Sequence, residues 1–109
     1  MAIILNDLHV TCMGWTENKN PDSGNSDIRA GFRAAANSGA GCQGWLERKR
    51  FNPDGTVKYN WTRVSDYVFY QDGDPWRFTG YHWNGTDAGS RVCVKLTATG
   101  EQGCSYGVW

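Results

Sequence analysis

Alternation of apolar and polar residues runs through several short segments of this chain, and turn sequences separate these segments. Residues 57–61 read Val-Lys-Tyr-Asn-Trp, and residues 92–96 read Val-Cys-Val-Lys-Leu. Such alternation places every second side chain on one face of an extended strand. The sequence Asn-Pro-Asp-Gly at 52–55 is typical of a tight turn and predicts a hairpin. We therefore predict an all-β fold, a small antiparallel β-sandwich or barrel of about seven to eight strands.

The strands that we predict follow one another closely, and we interpret residues 1–109 as a single β-sandwich domain. The clearest strand segments are residues 3–12, 43–51, 56–63, 66–70, 76–83, 90–96 and 104–109. In the strand 56–63, the alternation predicts one buried face formed by Val57, Tyr59 and Trp61. No internal repeat is evident.

The segment Asp27–Ala35 allows two interpretations. Its apolar residues alternate strictly with Arg and Gly, which favours a strand. Ser26 could instead cap a helix that carries Ile28 and Phe32 on one side. Gly31 disfavours that helix by about 1 kcal/mol. We favour the strand and keep the helix as the alternative.

The cysteines of this chain favour disulfides over a metal site. They occupy positions 12, 42, 93 and 104, without a Cys-x-x-Cys pair. Three pairings are possible, and we favour Cys12–Cys42 with Cys93–Cys104, because the last two flank a turn at 97–102. Two disulfides indicate an oxidising compartment, so we expect a secreted or extracellular protein.

Charge and hydropathy exclude some classes of partner. The formal net charge is +0, so no overall field favours nucleic acid or an anionic membrane. The mean hydropathy is −0.60, and no stretch approaches the roughly 20 apolar residues of a membrane span. The expected partner is a glycan or an extracellular protein.

Aromatic residues are concentrated between Tyr67 and Trp83, in excess of what a small core can absorb. Exposed Trp and Tyr rings stack on sugars, while nearby polar groups form hydrogen bonds with the sugar hydroxyls. If Trp76, Phe78 and His82 face the core, the alternate residues form an outward row. The predicted ligand-binding residues are Trp76, Arg77, Tyr81 and Trp83, with Asp72 and Asp74 from the preceding loop.

The loop sequence Asp72-Gly-Asp74 could supply oxygen ligands to calcium. It lacks the 12-residue spacing and the distal Glu of an EF-hand. A plain turn is therefore favoured, and no cofactor or metal is expected, with calcium at Asp72 and Asp74 as the alternative.

The triplet Trp76-Arg77-Phe78 resembles the Trp-Arg-Tyr that tendamistat-type α-amylase inhibitors present on a turn. Those inhibitors are small, secreted β-sandwiches with two disulfides. The resemblance covers three residues, with Phe in place of Tyr and with different cysteine spacing. It implies an aromatic-Arg projection that enters a cleft of a protein target, as an inhibitor or a toxin subunit would use.

A catalytic alternative uses Glu47, Arg63 and His82. This set resembles the Glu, Arg and His of small microbial ribonucleases, which implies Glu as base, His as acid and Arg at the phosphate. The N-terminal helix of those enzymes has no counterpart here. The preferred prediction is a secreted, non-catalytic domain that binds a carbohydrate or cell-surface ligand. An inhibitor or toxin subunit and a small secreted ribonuclease or other hydrolase are the alternatives.

Overall fold

The computed structural model describes residues 2–6, 10–19, 27–36, 41–83 and 87–107, and its regular elements in these residues are all strands. The strands are β1 (Ala2–Asn6), β2 (Val10–Lys19), β3 (Asp27–Ala36), β4 (Gly41–Phe51), β5 (Val57–Arg63), β6 (Val68–Gln71), β7 (Arg77–Phe78), β8 (His82–Trp83), β9 (Ala88–Leu96) and β10 (Gln102–Cys104). No helix capable of crossing a membrane occurs in this part of the chain.

Two antiparallel sheets form the fold. The first sheet has the order β1-β2-β3-β7, and β8 also pairs with β3. The second sheet has the order β10-β9-β4-β5, and β6 also pairs with β4. The buried core draws its side chains from both sheets. The predicted all-β, sandwich-like architecture is confirmed.

The described strands number ten, against the seven or eight expected, because two predicted strands are divided. The predicted strand 3–12 is wrong, since β1 ends at Asn6 and pairs antiparallel with β2, with Leu5 opposite Cys12. The predicted strand 76–83 divides at Thr79. The Thr79 hydroxyl accepts a hydrogen bond from the Ala30 N–H at 3.0 Å, so a side chain replaces a backbone partner there.

The C-terminal strand lies earlier in the sequence than predicted. β10 covers Gln102–Cys104, whereas the prediction ran from 104 to 109, of which residues 108–109 lie outside the described part of the chain. At the end of β10 the Ser105 hydroxyl accepts a hydrogen bond from the Val92 N–H at 3.2 Å. The Ser105 side chain, like that of Thr79, takes the place of a backbone acceptor, and the β9–β10 ladder ends at Cys104.

The ambiguous segment at 27–36 is the strand β3, and the helix alternative is wrong. Ile28, Ala30, Phe32 and Ala34 all lie in the core, as the period of two requires. The Phe32 ring stacks on Tyr70 at a centroid distance of 5.2 Å and fills the centre of the sandwich.

Both predicted disulfides are confirmed. Cys12–Cys42 joins β2 of the first sheet to β4 of the second, and both residues are buried in the core. Cys93–Cys104 joins directly opposed residues of β9 and β10. One bridge therefore holds the two sheets together, and the other holds an edge strand to its neighbour.

The predicted buried face of β5 is wrong. Val57 and Tyr59 are 49% and 59% exposed. β5 pairs with the last residues of β4 through a register that shifts between Arg48 and Phe51. Among the described strands, β5 packs against its neighbour β4 and against no strand of the first sheet to a comparable extent, so alternation in the sequence does not produce burial there.

Close packing at Gly44 gives a test of the core. A Cβ atom built at Gly44 would overlap the buried ring of Phe32. We expect Gly44→Ala to lower the free energy of unfolding by about 1–3 kcal/mol, because the stacked ring has no free space to move into. Urea unfolding followed by circular dichroism measures the change.

Gly41→Ala is the matched control for that experiment. A Cβ atom at Gly41 would lie 3.4 Å from the Tyr70 carbonyl oxygen, which is an ordinary contact. We expect a change within about 0.5 kcal/mol. Equal unfolding midpoints for the two variants would contradict the packing described here.

Candidate functional site

β2 and β4 carry the same residue pattern, Cys-x-Gly-Trp-x-Glu-x-Lys, at 12–19 and 42–49. The expectation of no internal repeat is therefore wrong, and this pattern is the signal that reveals the repeat. The two cysteines of the pattern form a disulfide with each other. The disulfide fixes equivalent positions of β2 and β4 opposite one another across the core.

The neighbouring strands extend this equivalence. Glu17 on β2 lies opposite Arg29 on β3, and Glu47 on β4 lies opposite Arg91 on β9. The Thr79 hydroxyl accepts a hydrogen bond from the Ala30 N–H, and the Ser105 hydroxyl accepts the equivalent one from the Val92 N–H. The two sheets are thus related by structure as well as by sequence, and each sheet has one outer face that points away from the core.

A Trp–Glu–Arg network lies on the outer face of the first sheet. Trp15 Nε1 donates a hydrogen bond to Glu17 Oε2 at 2.8 Å. Arg29 donates to the other oxygen, Oε1, through Nε at 2.9 Å and Nη2 at 2.8 Å. The Trp15 hydrogen bond is the largest effect that lowers the pKa of Glu17 below its ordinary value of 4.5, and Arg29 adds to it. Glu17 therefore orients both the indole and the guanidinium.

The same network recurs on the outer face of the second sheet. Trp45 Nε1 donates to Glu47 Oε2 at 2.8 Å. Arg91 donates to Glu47 Oε1 through Nε at 2.8 Å and Nη2 at 2.7 Å. Charge-assisted hydrogen bonds of this geometry fix side chains firmly in place.

Four rings form an aromatic platform on the first outer face: Trp15, Trp76, Phe78 and Tyr81. Trp15 lies over Gly31, where a Cβ atom would approach the indole to 2.5 Å. The edge-to-face contacts of Trp15 join it to Trp76 at 5.4 Å and to Phe78 at 6.3 Å. Only glycine at position 31 allows the indole to lie this close to the sheet.

Cations complete the platform. The Arg29 guanidinium lies 3.9 Å from the Phe78 ring centroid and 4.9 Å from that of Tyr81, and Lys19 Nζ lies 5.6 Å from the Tyr81 centroid. Trp76 is nevertheless 58% exposed and Tyr81 is 43% exposed. The platform therefore offers wet ring faces that the protein holds in fixed positions.

The structure brings some of the predicted ligand-binding residues together and separates others. Trp76 and Tyr81 lie in the platform. Arg77 lies opposite Phe32 in the β3–β7 ladder, so its side chain leaves the sheet on the side away from Phe78. Trp83 lies at the end of β8, 5.2 Å from the Arg50 guanidinium of the second sheet.

The conditional outward row of Arg77, Tyr81 and Trp83 is observed in part. Tyr81 and Trp83 are 43% and 44% exposed, but Phe78 takes the place of Arg77 on the outer face. Phe78 lies opposite Gly31 in the ladder and therefore shares the outer face with Trp15. Trp15 and Arg29 belong to strands distant in sequence, and neither was among the predicted site residues. The repeated Trp-x-Glu pattern is the sequence signal that could have identified Trp15.

The loop that carries Asp72 and Asp74 forms a turn. Asp74 Oδ2 accepts the Gln71 N–H at 3.0 Å, and Gly73 adopts a positive φ of 89°. Asp74 Oδ1 lies 3.6 Å from Arg77 Nη2. Both Asp74 oxygens therefore face protein partners, while Asp72 is exposed.

A concavity of about 420 Å³ lies beside this turn, and its lining includes Phe69, Tyr70, Asp74 and Arg77. Phe69 is the exposed ring of this set.

Within the described residues, one group of three possible metal ligands occurs, formed by Glu47, Cys93 and Cys104. The two cysteine sulfurs of this group are joined in a disulfide. Asp72 and Asp74 belong to no such group.

The residues of the catalytic alternative lie in two different sheets. Glu47 lies opposite Arg63 in the β4–β5 ladder. His82 lies opposite Ile28 in the first sheet, on the face that Ile28 turns toward the core. Both oxygens of Glu47 accept hydrogen bonds from Trp45 and Arg91. The structure therefore brings Glu47 and Arg63 together, and His82 does not join them.

A second concavity, of about 220 Å³, lies on the outer face of the second sheet. Its lining consists of Gln43, Trp45, Glu47, Arg63, Tyr67, Lys95 and Gln102. The Tyr67 ring meets Trp45 edge-on at 5.5 Å, and the Arg63 guanidinium lies 4.2 Å from the Tyr67 centroid. The concavity thus combines an aromatic wall with polar groups that converge on it.

A comparison of the chain with protein-family models and with curated protein sequences finds no match.

The Trp15–Glu17 hydrogen bond predicts a specific titration. We expect Trp15→Phe to raise the pKa of Glu17 toward 4.5, because the largest cause of its lowering is lost. A carboxylate whose pKa is depressed by folding stabilises the protein above its unfolded pKa, and this stabilisation disappears as the pH falls through the folded pKa. Carbon-13 NMR of the Glu17 carboxyl group measures the shift.

Trp45→Phe is the matched control, because it removes the equivalent indole from the opposite face. Its Glu17 titration should follow the wild-type curve. A Glu17 titration that is the same in Trp15→Phe as in the wild type would contradict the assigned network.

Proposed function

We propose that this protein is a non-catalytic, extracellular carbohydrate-binding domain whose ligand stacks on the aromatic platform of the first outer face. The observation that carries the proposal is the combination of exposure and fixation at Trp76 and Tyr81. Exposed aromatic rings that lie together, unlike single exposed ones, are typical of a contact surface.

Fixation of the rings favours binding. Ligand stacking on a mobile ring costs side-chain entropy of about 0.5–1.5 kcal/mol per immobilised side chain. Here Trp15 is held by Glu17 and by its seat on Gly31, and Arg29 is held by the same carboxylate. Trp76 and Tyr81 pack against these two fixed side chains, so their side-chain entropy is reduced on folding, before any ligand arrives.

The chemistry around the rings suits a sugar. Pyranose rings present apolar C–H faces to an aromatic surface and hydroxyls at their edges. The platform combines ring faces with charged groups at their margin, including Lys19 and Arg29. These groups can donate hydrogen bonds to hydroxyls or to an acidic substituent. A flat, wet platform of this kind fits an exposed glycan better than a fully enclosed small molecule.

The repeated network favours binding over catalysis. Glu17 and Glu47 have equivalent partners on the two faces, and in both cases the carboxylate holds a Trp and an Arg. A shared holding role accounts for Glu47 without a catalytic one. The two disulfides support an oxidising compartment and hence an extracellular location.

Ring deletion tests the proposal. A panel of cellobiose, mannobiose, chitobiose, lactose and sialyllactose is titrated against the protein, with Trp fluorescence and calorimetry as readouts. We expect Trp76→Ala to weaken binding of any responding sugar roughly thirtyfold, since loss of an anchor ring costs on the order of 2 kcal/mol. Tyr81→Ala should act in the same direction.

Tyr106→Ala is the control for those variants, because Tyr106 is 82% exposed and is not part of the platform. Its affinity should match that of the wild type. Absence of any response across the sugar panel and a wider glycan array would contradict the proposal. Inhibition of an extracellular hydrolase that depends on Arg77, or RNA cleavage that depends on Glu47, would favour the inhibitor or the ribonuclease alternative instead.

A further inference from the structure

The second outer face carries the same Trp–Glu–Arg core as the first, and it borders the concavity of about 220 Å³. We propose that this concavity is a second carbohydrate site, quasi-equivalent to the first, so that one chain binds two glycans on opposite faces and cross-links them. This inference rests on the proposed function and extends it from binding to bivalent binding.

The supporting networks of the two faces are equivalent. Glu47 holds Trp45 and Arg91 with hydrogen-bond distances within 0.1 Å of those that Glu17 makes on the first face. The network is built from residues in register on two paired strands in both halves. If the first network serves to fix rings for stacking, the second has the same means of doing so.

Rings from other strands complete each face. On the first face, Phe78 and Tyr81 lie against Arg29. On the second face, Trp61 of β5 lies 4.5 Å from the Arg91 guanidinium, and Tyr67 stands edge-on to Trp45. The donor strands differ, but each network ends beside exposed aromatic surface. On the second face Tyr67, which is 47% exposed, supplies that surface, whereas Trp45 itself is 6% exposed.

The concavity of the second face has a size and a lining that suit a sugar. Pockets for drug-sized ligands have volumes of roughly 300–1,000 Å³, so a smaller concavity suits a single sugar unit. Gln43, Lys95 and Gln102 contribute side-chain amides and an ammonium group around the Tyr67 wall. Amides both donate and accept hydrogen bonds, as recognition of sugar hydroxyls requires.

The two proposed sites face in opposite directions. The outer faces of the two sheets of a sandwich point away from one another, separated by the core and both sheets. Equivalent positions of β2 and β4 are bridged through that core by Cys12–Cys42. A single short oligosaccharide therefore cannot reach both faces, and two occupied sites must hold two separate glycan ends.

Site-resolved titration tests bivalence. The probes are the oligosaccharides of the same panel, and the readout is the indole N–H region of the proton–nitrogen NMR spectrum. We expect the sugar that shifts Trp15 and Trp76 also to shift Trp45, and calorimetry to give two sugars bound per chain. Tyr67→Ala should remove the Trp45 response and reduce the stoichiometry to one, while the Trp15 response persists.

Cross-linking gives the functional readout. Beads coated with the responding sugar should agglutinate with the wild type and with Tyr106→Ala. Trp76→Ala and Tyr67→Ala should each bind single beads without agglutinating them, because each loses one face. The wild-type spectrum maps both faces without any substitution, so a variant that fails to fold leaves the test intact.

The outcomes separate this inference from the function on which it rests. Binding at Trp15 and Trp76 alone, with one sugar per chain and no agglutination, would overturn bivalence and leave the proposed function standing. Binding at Trp45 alone would overturn both the platform and bivalence. No sugar binding at either face would overturn the proposed function itself.

Discussion

The close approach of β2 and β4 across the core is the constraint on which the other features depend. Cys12–Cys42 joins these strands. Gly14 and Gly44 have no side chain, and a Cβ atom at either position would overlap its neighbours. The space is filled from the neighbouring strands, by Phe32 at Gly44 and by Val92 and Val94 at Gly14. The tightness of this centre fixes the register of both sheets, because core packing tolerates little displacement.

The outer networks follow from that register. Once β2 pairs with β3 and β4 pairs with β9, each Glu of the repeated pattern lies directly opposite an Arg. The same pleat that points the glycines inward points Trp and Glu outward. The inward residues of the repeat build the core, and its outward Glu residues hold Trp and Arg side chains in place. This coupling is the physical basis for the two proposed sites.

Local sequence signals were sufficient for much of the fold. Strand β3 follows from strict alternation and from Gly31, and the β4–β5 hairpin follows from the turn at 52–55. Both disulfides agreed with the pairing favoured from their positions. Where the sequence misled, a nonlocal contact was responsible. Thr79 interrupts a predicted strand because its hydroxyl accepts a hydrogen bond from Ala30, and β5 stays exposed because, among the described strands, it packs mainly against β4.

The sequence by itself determined the all-β class, the cross-links and the surplus of aromatic rings, because these depend on composition, period and turn chemistry. The tertiary structure alone decided which rings meet. Phe78 faces outward because it lies opposite Gly31, and a shift of one residue in that pairing would have sent Arg77 outward instead. Trp15 joins Trp76 only because β2 and β7 both flank β3 in the first sheet. Strand pairing is a long-range choice, and no local pattern encodes it.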